Sequence, residues 1–125
     1  MNRIRLLGVA VWVVAMLLST AACSTEPDCS SPDAWPAQMA FTHLKNAGIV
    51  ANEDLDFART QVSQIASEKI GKDLYRQVHL VRYFRKSGEE VAAIVVNEAS
   101  SQECSMSDGD VFVISRRLGS YSLGK

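Results

Sequence analysis

Residues 75–97 have the sequence YRQVHLVRYFRKSGEEVAAIVVN, and this stretch decides the fold class. Its first part, residues 75–85, is rich in aromatic and β-branched side chains, and residues 86–89 contain the Ser-Gly pair typical of a hairpin turn. Residues 91–97 are apolar at both alternating sets of positions, which is typical of a central strand whose two faces are covered. The stretch therefore predicts a β-hairpin.

A third strand is predicted downstream of the hairpin. Residues 98–110 form a polar segment, and residues 111–116 are again apolar and β-branched. Asp108 and Asp110 flank a glycine, and this pattern indicates a turn because the further oxygen ligands of a calcium loop are missing.

Two helices are predicted upstream of the hairpin. The first has Ser31 or Asp33 as its cap and ends at Gly48, and its apolar side chains recur at helical spacing. These side chains are Ala37, Ala40, Phe41 and Leu44. The second begins at the cap residue Asn52 and ends near Gly71. Its apolar stripe consists of Leu55, Ala58, Val62, Ile65 and Ala66.

The order of these elements predicts an α+β fold. Two N-terminal helices would pack on one face of a three-stranded antiparallel meander. The chain has 125 residues, of which 47% are hydrophobic and 22% charged, so we expect one globular domain.

The N-terminal segment differs from the rest of the chain. Arg3 and Arg5 precede residues 6–22, which carry no charge and end in small side chains. This is the layout of a secretory signal, and the two arginines place its start on the cytoplasmic side. An uncleaved membrane anchor is an alternative, although 17 uncharged residues are at the lower limit for crossing ~30 Å of hydrocarbon.

The end of this segment, Leu18-Ser19-Thr20-Ala21-Ala22-Cys23, resembles the lipobox of bacterial prolipoproteins. The resemblance implies that Cys23 carries fatty acyl chains such as palmitate and becomes the mature N-terminus. Thr20 departs from the pattern, because the family prefers Leu three residues before the cysteine. Ser24, in place of Asp, implies the outer membrane of a Gram-negative cell. An ordinary cleaved signal, which would leave Cys23 as a thiol, is the other alternative.

The resulting organisation has three parts. Residues 1–22 are expected to be a lipoprotein signal peptide, residues 23–35 a lipidated tether, and residues 36–125 a small domain that faces the periplasm. The acyl chains would hold the protein on the membrane, because two or more chains bind stably where one does not.

The cysteine count then predicts a disulfide. If Cys23 is lipidated, Cys29 and Cys104 are the two remaining cysteines, and they lie in an oxidising compartment. The alternative is a catalytic thiol paired with His43 or His79, but neither cysteine lies in a Cys-x-x-Cys or a known nucleophile motif.

The sequence contains no catalytic, phosphate-binding or metal-binding motif, so we expect no enzyme, no cofactor and no metal site. Of 13 basic residues, two precede Cys23, and the remaining 11 with 14 acidic residues leave a net charge of −3. A nucleic-acid partner is not expected, because it would need a concentrated basic face.

A partner-binding surface is expected on the sheet, because two helices cover only one of its faces. The outward residues of the first strand are expected to be Tyr75, His79, Val81 and Tyr83. Which set faces outward stays open, because the alternate set is an equally good inner face. That set consists of Val78, Leu80 and Phe84, interrupted by Arg82.

Such a patch indicates a docking surface, a homodimer interface or coverage by the C-terminal tail with Tyr121 and Leu123. The leading hypothesis is a non-catalytic, lipid-anchored binding or accessory module of an envelope protein complex. The predicted architecture is similar to that of the small outer-membrane lipoproteins that assist β-barrel assembly. The alternative is an inhibitor or immunity protein against an envelope-targeting enzyme or toxin.

Overall fold

The structure is a computed structural model and describes residues 25–115. This part of the chain contains one α-helix followed by a four-stranded sheet. The helix α1 is Trp35–Asn46, and the strands are β1 (Gln61–Gly71), β2 (Leu74–Phe84), β3 (Glu90–Ala99) and β4 (Asp110–Ile114). The sheet order is β1-β2-β3-β4, and every neighbouring pair is antiparallel.

The central hairpin lies where the alternating sequence predicts it. Strands β2 and β3 pair without interruption from Tyr75 opposite Ala99 to Phe84 opposite Glu90. The turn between them is closed by Gly88, which has φ 95° and donates its N–H to the carbonyl of Arg85 at 2.8 Å. A left-handed residue is needed here, and glycine adopts this conformation without steric cost.

The predicted second helix is wrong. Two short 3₁₀ turns, Asn52–Asp54 and Phe57–Arg59, replace its first half, and the edge strand β1 replaces the rest. The pairing of β1 with β2 shifts between Gln64 and Ala66, so Ile65 is an extra residue in the strand. A bulge breaks the two-residue period of a strand, which explains why the spacing of Val62, Ile65 and Ala66 imitated a helix.

The fold class predicted from the sequence is therefore contradicted. The described residues form one helix and four strands, mostly β, instead of two helices on three strands. The similarity to the small β-barrel-assembly lipoproteins depended on the incorrect element order, so it no longer supports a function.

Helix α1 covers part of one sheet face. Pro36 occupies its first turn, where the missing N–H costs nothing, and Gly48 follows its end with φ 72°. The cap position is Ala34, which lies between the predicted helix start and the first helical residue. Ala37, Ala40 and Leu44 are buried against the sheet, so the first helix presents the apolar stripe expected from its spacing.

The core lies between α1 and the end of the sheet at which β2 finishes. Its sheet side chains are Val81, Tyr83, Val91, Ala93 and Val95. The hydroxyl of Tyr83 donates to the backbone carbonyl of Ala37, which joins helix and sheet inside the core. The pKa of Tyr83 is raised well above its usual value, because burial disfavours the phenolate.

Candidate functional site

The four side chains predicted to bind a partner lie inside the domain. The exposed fractions of Tyr75, His79, Val81 and Tyr83 are 7%, 0%, 0% and 2%. They belong to the inward-facing set of β2, beneath α1 and the N-terminal segment of the described chain. A partner cannot touch these side chains while the domain is folded. The structure has instead the alternative arrangement, in which Val78, Leu80 and Phe84 face outward.

A cluster of neutral polar side chains fills the half of this covered face that α1 does not reach. Nδ1 of His79 lies 2.9 Å from Oδ1 of Asn97, and the amide of Asn97 donates to the carbonyl of Cys104 at 3.1 Å. Because the amide nitrogen of Asn97 donates to Cys104, the Asn97 atom that faces His79 is the acceptor Oδ1, and Nδ1 of His79 therefore carries the proton. The cluster ties β2, β3 and the loop that follows β3 together.

Two buried acceptors of the cluster have no hydrogen-bond partner among the described residues, Nε2 of His79 and Oε1 of Gln77. Burial lowers the pKa of His79, and this outweighs the opposing effects of Asn97 and of the Asp28 and Glu26 carboxylates. The imidazole is therefore held neutral, in a structural position that solvent does not reach.

The N-terminal segment, residues 25–30, is docked on this cluster. The carboxylate of Glu26 accepts from Gln64 at 2.9 Å and from Gln77 at 3.1 Å, and Gln77 also donates to the carbonyl of Pro27 at 3.0 Å. A hydrogen bond from Ser67 and those from Gln77 and Gln64 lower the pKa of Glu26 against the opposing effect of burial, because these donors stabilise the charged carboxylate.

A disulfide joins Cys29 of this segment to Cys104, across a sequence separation of 75 residues. Cys29 is fully buried. Residues 25–30 are consequently part of the folded domain, although the sequence had assigned them to a tether. Cys23, the predicted site of lipid attachment, lies outside the described residues.

The opposite side of the sheet, which we call the open face, is apolar at its centre. Because side chains alternate along a strand and directly paired residues share a face, the register assigns its members. They are Val78, Leu80, Ala92, Ile94, Val96, Phe112 and Ile114. Phe112 is 57% exposed and Ile114 is 44% exposed. At one end of this face, Arg59 from the 3₁₀ turn Phe57–Arg59 lies over the ring of Phe84 at 4.6 Å, and no α-helix or further strand within residues 25–115 packs on the apolar centre. The C-terminal tail with Tyr121 and Leu123 lies outside the described residues.

Charged pairs border the apolar centre at both ends of the strands. Arg76 and Glu98 form an ion pair at 3.1 Å at one end, and Arg82 and Glu90 form one at 2.7 Å at the other. The hydrogen bond to Glu90 raises the pKa of Arg82. The negative charge of Glu90 acts in the same direction, and burial acts against both. The same face carries Glu68 opposite Arg76, Asp110 opposite Val96, and Arg59 over the ring of Phe84. The open face thus has an apolar centre and a charged rim with a slight acidic excess.

The remaining candidates for chemistry lie apart from each other. His43 is exposed on α1, whereas His79 is buried in the sheet. Cys29 and Cys104 are joined in a disulfide, so neither is a free thiol that could pair with a histidine. The described residues hold no group of three or more His, Cys, Asp or Glu side chains arranged for a metal ion. Asp108 and Asp110 flank Gly109, whose φ of 68° marks a turn.

The helix found among residues 25–115 is too short to cross a membrane.

The sequence predicts an exposed face of the sheet, but the four residues predicted for it are buried. The signal that would have corrected the assignment is the pair of arginines, Arg76 and Arg82, on the alternate set. Phe112 and Ile114 were missed as surface residues, because an apolar run by itself does not reveal which strand lies at the sheet edge. Comparisons with protein-family models, with curated proteins and with solved structures find no match for this chain.

Proposed function

We propose that this protein is a lipid-anchored, non-catalytic interaction module of the bacterial cell envelope, and that it works by binding protein through its open face. The observation that carries the proposal is the apolar centre, which no element of residues 25–115 covers, with Phe112 and Ile114 about half exposed. Soluble domains seldom leave a contiguous apolar patch without a binding role.

The charge of the rim favours protein as the occupant. Three arginines and four acidic side chains border the open face, so its rim has no excess of positive charge. Nucleic acid and anionic lipid surfaces are bound through an excess of Lys and Arg. A protein surface matches an apolar centre with a polar rim, which is the usual anatomy of an interface.

The docked N-terminal segment supports a lipid anchor that leaves this face free. Glu26 is bound on the covered side of the sheet, and Cys23 is three residues away, which limits their Cα separation to about 11 Å. Acyl chains on Cys23 would therefore hold the covered side of the domain near the lipid. The sheet itself would separate the open face from the anchor.

Site-specific photocrosslinking in intact cells tests the proposal. A photoreactive residue in place of Phe112 in the full chain should give a protein adduct, since this side chain protrudes from the open face. The matched control is the same residue at Thr42, which is exposed on α1 on the other side of the sheet, and should give no comparable adduct.

An absence of adducts at Phe112, and also at Ile94, would contradict the docking function. Intact-mass measurement of the membrane-extracted protein tests the anchor separately. A mass that includes acyl chains on a chain beginning at Cys23 supports it, and an unmodified thiol contradicts it. An adduct with an incoming toxin or enzyme, instead of a resident envelope protein, would favour the inhibitor alternative.

A further inference from the structure

We infer that the edge strand β1 is a second interaction surface, which binds an extended segment of a protein partner as an added strand of the sheet, with a basic side chain of that segment in the acidic cleft beside β1. The surface is the edge of the sheet and not its open face. The inference therefore goes beyond the proposed function and does not rest on it.

The backbone of β1 selects the kind of ligand. The strand pairs with β2 on one side, and no backbone hydrogen bond among the described residues reaches its outer side. Amide and carbonyl groups that point away from a sheet edge are matched either by water or by another extended backbone. An extended polypeptide is thus the ligand whose chemistry fits this edge, because strand addition derives its affinity from main-chain hydrogen bonds.

The two edges of the sheet differ in their protection. Strand β4 has only five residues, and a short edge offers little to a ligand. Strand β1 has eleven residues, and positions 61–67 contain neither charge nor proline, which are the features that usually block an edge. The bulge at Ile65 interrupts this edge, and the regularly paired stretch 61–64 lies before it. That stretch is the one available for pairing.

An acidic cleft adjoins this stretch on the covered side of the sheet. Gln64 is paired with His79, so its side chain points to the covered side, where it donates to Glu26 at 2.9 Å. An open cleft of about 270 Å³ lies between Gln64 and the N-terminal segment, and Glu26 and Asp28 line it. Small-molecule sites usually measure ~300–1,000 Å³, so a single long side chain is the better match for this volume.

The charge of the cleft selects a basic side chain. The backbone N–H of Ser30 lowers the pKa of Asp28, and the hydrogen bond from Ser67 is the largest of the effects that lower the pKa of Glu26. Both groups are therefore carboxylates at neutral pH. None of the ion pairs in the described part of the chain includes either of them. A Lys or Arg of the ligand would supply the missing cation.

Sheet geometry gives the position of that side chain within the ligand. Directly opposite residues of neighbouring strands point to the same face, so the ligand residue beside Gln64 points toward the cleft. The ligand residue two positions along lies beside Val62, which packs against the core. The expected ligand is thus an extended segment with a basic and an apolar residue two positions apart.

The same charges disfavour a second copy of this chain at the edge. Two β1 strands paired antiparallel about their centre, Ala66, would bring the Glu26 carboxylates of both copies toward the axis, because Glu26 is bound to Gln64 and Ser67 on either side of that centre. Like charges placed close together oppose association. An anionic lipid surface is disfavoured for the same reason.

Site-specific photocrosslinking in intact cells tests the inference on the full chain. A photoreactive residue in place of Ile65, which is 55% exposed on β1, should give an adduct with another protein. Glu26→Gln with Asp28→Asn removes both charges and keeps the side-chain shapes, and it should lower the adduct yield by about tenfold or more. The matched control is Asp33→Asn with Glu53→Gln, which neutralises two exposed carboxylates elsewhere and should leave the yield unchanged.

A second variant keeps both carboxylates in place. Gln64→Lys would supply the cation of the cleft from within the chain, so the adduct yield should fall here as well. Circular dichroism of the purified variants distinguishes a lost contact from a lost fold. Mass spectrometry of the digested adduct should locate the crosslink in a partner peptide with Lys or Arg within about three residues of the linked position.

The outcomes separate this inference from the proposed function. An adduct that depends on the two carboxylates and maps to a basic segment supports strand addition at β1. No adduct at Ile65, a yield that neither charge change lowers, or an adduct with a second copy or with residues 116–125 of the same chain overturns it. An adduct at Ile65 with none at Phe112 and Ile94 supports the edge and contradicts docking on the open face, and the reverse result does the opposite.

Discussion

Loss of the disulfide should remove a large part of the stability of the domain. The bond between Cys29 and Cys104 closes a loop with a sequence separation of 75 residues. In the chain-entropy treatment, a loop of this length restricts the unfolded chain by about 4 kcal/mol at 25 °C. A domain of the described size has a free energy of unfolding of about 5–13 kcal/mol, so Cys29→Ala with Cys104→Ala should remove between a third and most of it.

The assay is equilibrium unfolding in urea, followed by circular dichroism. With a slope of roughly 1–2 kcal/mol per molar urea, the midpoint should fall by about 2–4 M relative to the oxidised protein. Alanine is the appropriate replacement at Cys29, because that position is fully buried and a serine hydroxyl would add an unpaired polar group. The reduced wild-type protein should behave like the double variant.

A competing explanation assigns the stability to the docked segment instead of to the loop. Glu26→Gln tests it, because this change weakens the hydrogen bonds of residues 25–30 and leaves the disulfide intact. We expect a loss below about 1 kcal/mol, since Glu26 is exposed and its hydrogen bonds compete with water. A loss equal to that of the disulfide variant, or a disulfide effect below about 1 kcal/mol, would refute the loop-entropy reasoning.

Three further predictions concern single positions, each measured by urea unfolding. Gly109→Ala should cost about 2–4 kcal/mol, because Gly109 has φ 68° and an added Cβ would lie 3.0 Å from the ring of Trp35. The control Gly48→Ala, at φ 72° with nothing within 4 Å, should cost only about 1–2 kcal/mol. Equal costs would contradict a steric contribution from the Trp35 contact. Tyr83→Phe should cost about 0.5–1.5 kcal/mol, because a buried helix carbonyl loses one of its donors, and a neutral effect would exclude that hydrogen bond from the stability of the core. The pKa of His79 is lowered in the folded state, so the unfolded chain binds more protons than the folded chain below about pH 6.5. The free energy of unfolding should therefore decrease as the pH falls from about 6.5 to the folded-state pKa, by up to ~1.4 kcal/mol per pH unit. This decrease should be absent in His79→Gln.

The elements that could be predicted from the sequence are those whose signal is local. The hairpin of β2 and β3 has an alternating pattern and a turn with glycine in the left-handed region, and α1 has a regular apolar stripe. Strand β1 could not be predicted in the same way. It is an edge strand with mostly exposed side chains, and the bulge at Ile65 removes the two-residue period.

The buried face could not be predicted from local patterns, because its polar members have partners far away in the sequence. His79 pairs with Asn97, 18 residues away, and Gln77 pairs with Glu26, 51 residues away. Without those partners, Gln77 and His79 resemble surface residues, and Val78 and Leu80 resemble core residues. The contacts that reverse this impression involve the N-terminal segment, which the sequence had assigned to a tether.

A physical reason for the observed orientation of the sheet lies in the charges of the alternate set. If Val78 and Leu80 faced α1, Arg76 and Arg82 would be turned inward as well, on the same side of β2. Removing a guanidinium from water costs several kcal/mol even after relaxation, and ion pairing in the interior often fails to offset it. Burying Gln77 and His79 requires only hydrogen bonds, most of which are present. The sheet therefore buries the less charged set and not the more apolar one.

This choice leaves the more apolar set on the surface. Val78, Leu80 and Ile94 remain outside together with Phe112, between ion pairs that are tolerated only because they stay near water. No element within residues 25–115 covers these side chains. Folding of residues 25–115 thus minimises buried charge at the expense of exposed apolar surface, and the proposed association with a second apolar surface would remove this exposure. The open face is consequently where the proposed function should be tested first.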